Sequence, residues 1–98
     1  MSKKPETLFK EKVMKDLNKL RPDVYVLKTQ EVARHGVPDL LICAKGRFYA
    51  IELKLPGEAL EPLQENRVKV IRDAGGVAAR IDENNWPVML EMIKGLSK

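Results

Sequence analysis

Asp39, Glu52 and Lys54 stand out in the stretch GVPDLLICAKGRFYAIELK, three charges among residues that, apart from Lys45 and Arg47, are suited to a core. Lys45 and Gly46 fit a two-residue hairpin turn between two apolar runs, although Asn-Gly would be the stronger signal. With that pair as the loop, Ala44 faces Arg47 and the register sets Asp39 opposite Glu52. Directly opposed residues have Cβ atoms about 4.5–5.5 Å apart, and like charges placed there destabilise the pair. Period-two alternation puts Lys54 on the face of Glu52, together with Leu41, Cys43, Phe48 and Ala50, so the charges end an otherwise apolar layer. Two carboxylates and one lysine leave surplus negative charge, which a hard divalent cation with oxygen ligands would neutralise, magnesium first. A structural cluster in which Lys54 bridges both carboxylates, or a differently placed turn that lets them diverge, accounts for the same residues.

The elements that must position these residues follow from periodicity. PETLFKEKVMKDLNKL, residues 5–20, repeats apolar residues at Phe9, Val13, Leu17 and Leu20 behind Pro5 at a first helical position, the pattern of an amphipathic helix. VYVLKTQ, 24–30, reads as a strand, and EVARHGVP as a polar loop punctuated by glycine and proline. DLLICA and RFYAIELK are the two hairpin strands. EPLQENRVKVIRDAGG reads as a helix with Pro62 in its first turn and Gly75-Gly76 as its stop. VAARI is a closing strand, and NNWPVMLEMIKGL a last helix with Asn85 as its cap and Trp86, Leu90 and Ile93 on one face. The order is helix, three strands, helix, strand, helix: a layered α/β domain spanning 1–98, without repeats or a linker.

Composition narrows the function classes. The 98 residues carry a net charge of +4, which suits a polyanionic partner without requiring one. The single cysteine, Cys43, can form no internal disulfide and is expected in the core, as in a reducing, cytoplasmic setting. No apolar run approaches the roughly 20 residues of a membrane span, and the lysine-rich start lacks the apolar stretch of a signal peptide.

GVPDL, then IELK, then a helix bearing Gln64, resembles the PD-(D/E)xK nucleases, and its short spacing is similar to the virus-type replication-repair nuclease (VRR-NUC) domain found as stand-alone phage proteins. The resemblance runs from Glu6 to about Arg80. It implies a restriction-endonuclease-like core, with a mixed sheet flanked by helices, and metal-dependent hydrolysis of DNA phosphodiesters. Within it Asp39, Glu52 and the Leu53 carbonyl hold Mg2+ or Mn2+, and Lys54 orients or activates the attacking water. Lysine in water is a poor base at neutral pH, so the proton acceptor stays open, as does the number of metal ions.

The family also places a glutamate near the start of its first helix. With Phe9 at zero and about 100° per residue, Val13, Leu17 and Leu20 fall near 40°, 80° and 20°, Glu6 near 60° and Glu11 near 200°. Glu6 is therefore expected on the buried face and takes the role. Helix-start glutamates also simply favour the helix dipole. Gln64 shares a face with Val68 and Ile71, and the resemblance implies that it meets the metal or its water. A first-turn residue that satisfies backbone groups is the plainer reading. Arg34 and His35 on the loop, and Lys4 and Lys10 on the first helix, are candidate phosphate contacts. No small-molecule cofactor is expected.

One chain holds one candidate site, and stand-alone phage members of the family are associated with junction cleavage. The resemblance therefore implies a homodimer acting on branched or four-way-junction DNA, with Trp86, Met89 and Met92 as spare apolar surface. A catalytically inactive DNA-binding module of the same fold, and a small protein-interaction domain with structural charges, are the alternatives.

Overall fold

The structure, a computed structural model, describes residues 3–29 and 37–95. Helix α1 (Pro5–Asn18) is followed by strands β1 (Val24–Lys28), β2 (Leu40–Ala44) and β3 (Arg47–Leu53), helix α2 (Pro62–Asp73), strand β4 (Val77–Ile81) and helix α3 (Trp86–Lys94). This is the expected element order. The strands form one four-stranded sheet in the order β1-β2-β3-β4. The first three are antiparallel neighbours, whereas β4 returns parallel to β3 through α2, the crossover a parallel pair requires.

The β2–β3 hairpin has the expected register, Ala44 opposite Arg47 and Leu40 opposite Ile51. Lys45 and Gly46 both have positive φ, 51° and 80°, as a two-residue type I′ turn demands. Lysine tolerates this less readily than asparagine, which is why the turn was a weak signal in the sequence.

One face of the sheet carries the core. Val24, Val26, Leu40, Ile42, Tyr49, Ile51 and Ile81 pack against Val13 and Leu17 of α1 and Trp86, Met89 and Ile93 of α3. Trp86 Nε1 donates to Asp16 Oδ2 at 2.9 Å and so ties the two helices together. The other face is covered only in part, because α2 packs mainly against β4 and β3. Gly76 permits the close approach there: a Cβ would meet Ile71 Cγ2 at 2.9 Å and Phe48 Cδ2 at 3.0 Å.

Two expectations fail on that second face and its partner. Cys43 is exposed rather than core, because it lies between Tyr25 and Phe48 in the register, beyond the reach of α2. Conversely, Trp86 and Met89 are buried and Met92 is half-buried, so α3 has no spare apolar surface of the kind expected. Its aromatic and sulfur side chains are consumed by a core too small to leave them over. Asn85 stands at the N-cap of α3 as expected but makes no side-chain cap bond; its Oδ1 accepts from Asp82 N–H, while Asp82 Oδ1 accepts from the N–H groups of Asn84 and Asn85.

Candidate active site

The ladder between β2 and β3 ends one residue short of Asp39, and continuing its register sets Asp39 beside Glu52, as the hairpin argument requires. Asp39 is held from three directions. Its Oδ2 accepts from Leu53 N–H at 2.8 Å, its backbone carbonyl accepts from Thr29 N–H at 3.0 Å, and the buried Thr29 hydroxyl donates to the neighbouring Pro38 carbonyl. Thr29 thus clasps Pro38 and Asp39 of the motif, a role that its place at the end of VYVLKTQ did not betray.

Glu52 is 6% exposed. Burial first, then the hydrogen bond and the charge of Asp39, push its carboxyl up to about 8, while Lys54 and Lys10 work in the opposite direction. Neither lysine pairs with the site: among the described residues no lysine or arginine nitrogen lies within 4.0 Å of either carboxylate. The bridging arrangement, with Lys54 clamped between Asp39 and Glu52, is therefore not the one present. Lys54 is half-buried, and its backbone N–H donates to Ile81 O at 2.9 Å.

The turn after Lys54 is braced by a residue that the sequence reading passed over. Arg80 Nε donates to Glu58 O at 2.6 Å, Nη2 to Leu55 O at 3.0 Å, and Nη1 to Asp82 Oδ2 at 2.8 Å. Its guanidinium also holds the Asp82 carboxyl below the usual range. The available signal was an arginine inside the otherwise apolar VAARI, opposite Glu52 in the parallel register.

Other candidates fall differently. Lys10 joins the site: it lines a recess of about 20 Å3 with Lys28, Asp39 and Leu53, room for one water-sized occupant. Glu6 does not reach the expected buried position. It is exposed with its neighbours Thr7 and Leu8, because the first turn of α1 overhangs the packed layer, and it sits one turn before Lys10 on the same side of the helix. Glu11 is exposed and paired with Lys3 at 2.8 Å. Among the described residues no three acidic, histidine or cysteine side chains gather as a metal cluster, so Glu6 does not join Asp39 and Glu52. Gln64 Oε1 accepts from Glu61 N–H at 2.8 Å, capping α2 from its N3 position, which accounts for an amide on that face without a metal. Lys4 is exposed just ahead of α1. Arg34 and His35 lie outside the described residues.

Comparison with family models, with curated proteins and with solved structures returns no match. The chemistry must be argued from the site.

The donor set fits a hard cation. Magnesium is commonly held by one or two carboxylates, with water and substrate phosphate completing its shell, so a third acidic side chain is not required. The arrangement also sets a pH dependence. The raised pKa means that between about pH 4.5 and 8 the folded chain holds a proton that the unfolded chain has released, so stability falls as pH rises through that window. We expect the metal-free unfolding free energy, read from urea titrations, to fall from pH 5 to pH 9 by an amount on the order of 1–3 kcal/mol. Glu52→Gln should flatten this slope, and an equal slope in wild type and variant would refute the assignment.

Proposed function

We propose that the chain is a metal-dependent DNA endonuclease of the PD-(D/E)xK kind, similar to the VRR-NUC domain. One observation carries the reading: two carboxylates face each other at the end of a sheet, one buried and raised to about 8, with lysines nearby but no ion pair to either among the described residues. A purely structural cluster gains nothing by leaving such a pair unbridged. The antiparallel meander, the parallel fourth strand and the flanking helices are compatible with a restriction-endonuclease-like core.

Asp39, Glu52 and the Leu53 carbonyl would hold Mg2+ or Mn2+, which when bound acidifies water and stabilises charge on phosphoryl oxygens. The residues of the chain do the rest. Leu53 N–H fixes the orientation of the Asp39 carboxylate, and Thr29 fixes its backbone. Lys54, unpaired with either carboxylate and steadied by the Arg80-braced turn, would orient water and offset charge on the phosphate. Lys10 and Lys28, at the recess beside Asp39, are placed for neighbouring phosphates. Glu6 could act only through movement of the first turn, and Gln64 contributes by capping α2. The inactive DNA-binding module predicts affinity without cleavage. The decisive assay offers labelled linear, flapped and four-way-junction DNA with magnesium, manganese or a chelator. Metal-dependent cleavage supports the enzyme, whereas binding without cleavage supports the module.

A homodimer acting on branched DNA belongs to this proposal, because one site cuts one strand and a two-fold pair supplies two related incisions. Its surface is the open sheet face. Tyr25, Cys43 and Phe48 form one cross-strand row there, and Leu27, Leu41 and Ala50 the next, ending at Asp39 and Glu52. Tyr25, Leu27 and Phe48 are 59%, 47% and 45% exposed. They offer roughly 300 Å2, enough for the apolar centre of an interface of roughly 800 Å2 per partner. Light scattering should report a dimer that Leu27→Lys converts to an 11.1 kDa monomer. A wild-type monomer at the same concentration would remove the dimer and leave the nuclease reading standing.

A further inference from the structure

A second cavity, of about 490 Å3, opens beside the site between α1, the turn after β3 and the start of α3. Its volume is that of a small-ligand pocket. Leu8, Phe9, Pro56 and Pro87 wall it, Trp86 lines it with little of its surface exposed, and Lys54 borders it. We infer that this cleft receives a single unpaired nucleobase adjoining the phosphate handled at Lys54. The inference rests on the nuclease reading and deepens it.

Three observations converge on that occupant. Two of its lining residues are anchored before anything binds: Trp86 is pinned through Asp16, and Pro56 sits in a turn whose carbonyls Arg80 holds. A rigid apolar slot loses little entropy on binding a flat ring. Leu8 is 54% exposed, one turn from Lys4 and Lys12 along the basic helix, a large apolar side chain where charge alone would serve a phosphate-binding surface. Finally, Lys54 joins this apolar cleft to the carboxylate pair, so a strand whose phosphate reaches Lys54 carries its next nucleoside past the opening. Lys12, although also at the cleft, is already paired with Asp16 at 3.1 Å, and Glu83 lines the cleft as well; among the described residues Lys54 forms no ion pair. Apolar walls and one such cation match a nucleotide: base inward, phosphate at the rim.

Bases in a duplex are stacked and paired and cannot enter a slot of this kind; an unpaired one can, and stacking or burial against apolar walls is insensitive to which base it is. The cleft would thus favour DNA with an unpaired nucleotide at the cut, at a flap, gap or open junction, over continuous duplex.

The test measures binding in chelator, without cleavage. The probes are a fully paired duplex, the same duplex bearing one unpaired thymidine at a branch, and that branch with an abasic residue in place of the thymidine. Wild type should bind the thymidine probe about tenfold more tightly than the abasic one, the effect of one stacked base. That ratio should persist as salt lowers all the affinities together, since it does not involve phosphate. Leu8→Asp, at an exposed position, should bring the ratio to about one and weaken duplex binding only modestly and equally for every probe. Equal wild-type affinity for the thymidine and abasic branches overturns the cleft assignment while leaving the nuclease reading intact. A ratio unchanged in Leu8→Asp overturns it as well. Failure to bind any of the three probes overturns both.

Discussion

Asp39→Asn and Glu52→Gln are each expected to abolish cleavage while the chain stays folded. Each removes one of the two carboxylates that would hold the cation, and loss of several kcal/mol of charge stabilisation corresponds to a thousandfold or greater drop, at about 1.4 kcal/mol per tenfold. Stability should move the other way. Glu52 is buried against Asp39 and raised to about 8, so above that pH the metal-free protein carries two opposed charges that the amides do not. At pH 9 without metal, Glu52→Gln should melt several degrees above wild type, since about 1 kcal/mol shifts the midpoint of a domain this size by roughly 4–8 °C. If both variants instead melt clearly below wild type at pH 9, the pair is a structural cluster.

Lys54→Ala is expected to leave metal binding in place and to lower turnover by about 10²–10³-fold, the usual effect of removing one preorganised stabilising group. Lys54 lies outside ion-pair distance of both carboxylates, so its removal releases no partner and should cost the fold little. Its charge does oppose the upward push on Glu52, so metal affinity in Lys54→Ala should show a shifted pH dependence rather than disappear. Single-turnover cleavage at saturating metal reads the chemical step apart from binding. Wild-type turnover in this variant would end the role assigned to Lys54.

The sheet was legible in the sequence wherever a single local rule decided it. The Lys45-Gly46 turn sets the β2–β3 register by loop length alone, and that register places Asp39 against Glu52 with no tertiary information. VAARI and the two proline-led helices follow from equally local patterns. What failed depended on how far another element reaches. Alternation puts Cys43 and Phe48 on the α2 side, but only packing decides how much of each α2 covers, and both stay exposed. The wheel angle of Glu6 points inward, yet the first turn of α1 is exposed. Gln64 on an apolar stripe has two explanations with the same periodicity, and only the hydrogen bond to Glu61 N–H separates them. Arg80 illustrates the reverse. A lone arginine in an apolar strand had no local meaning until the turn at Leu55–Glu58 supplied two carbonyls for it to hold.

The central claim is that Asp39 and Glu52 together hold a divalent cation, and calorimetric titration of the chain with Mn2+ at pH 8 tests it most directly. Because protons compete for Glu52, affinity should weaken up to tenfold for each pH unit below about 8, and binding should release protons to the buffer. The account predicts saturable uptake by wild type with that pH dependence, and none by Asp39→Asn or Glu52→Gln. Absence of wild-type binding at millimolar Mn2+, or uptake unchanged in both variants, would contradict it.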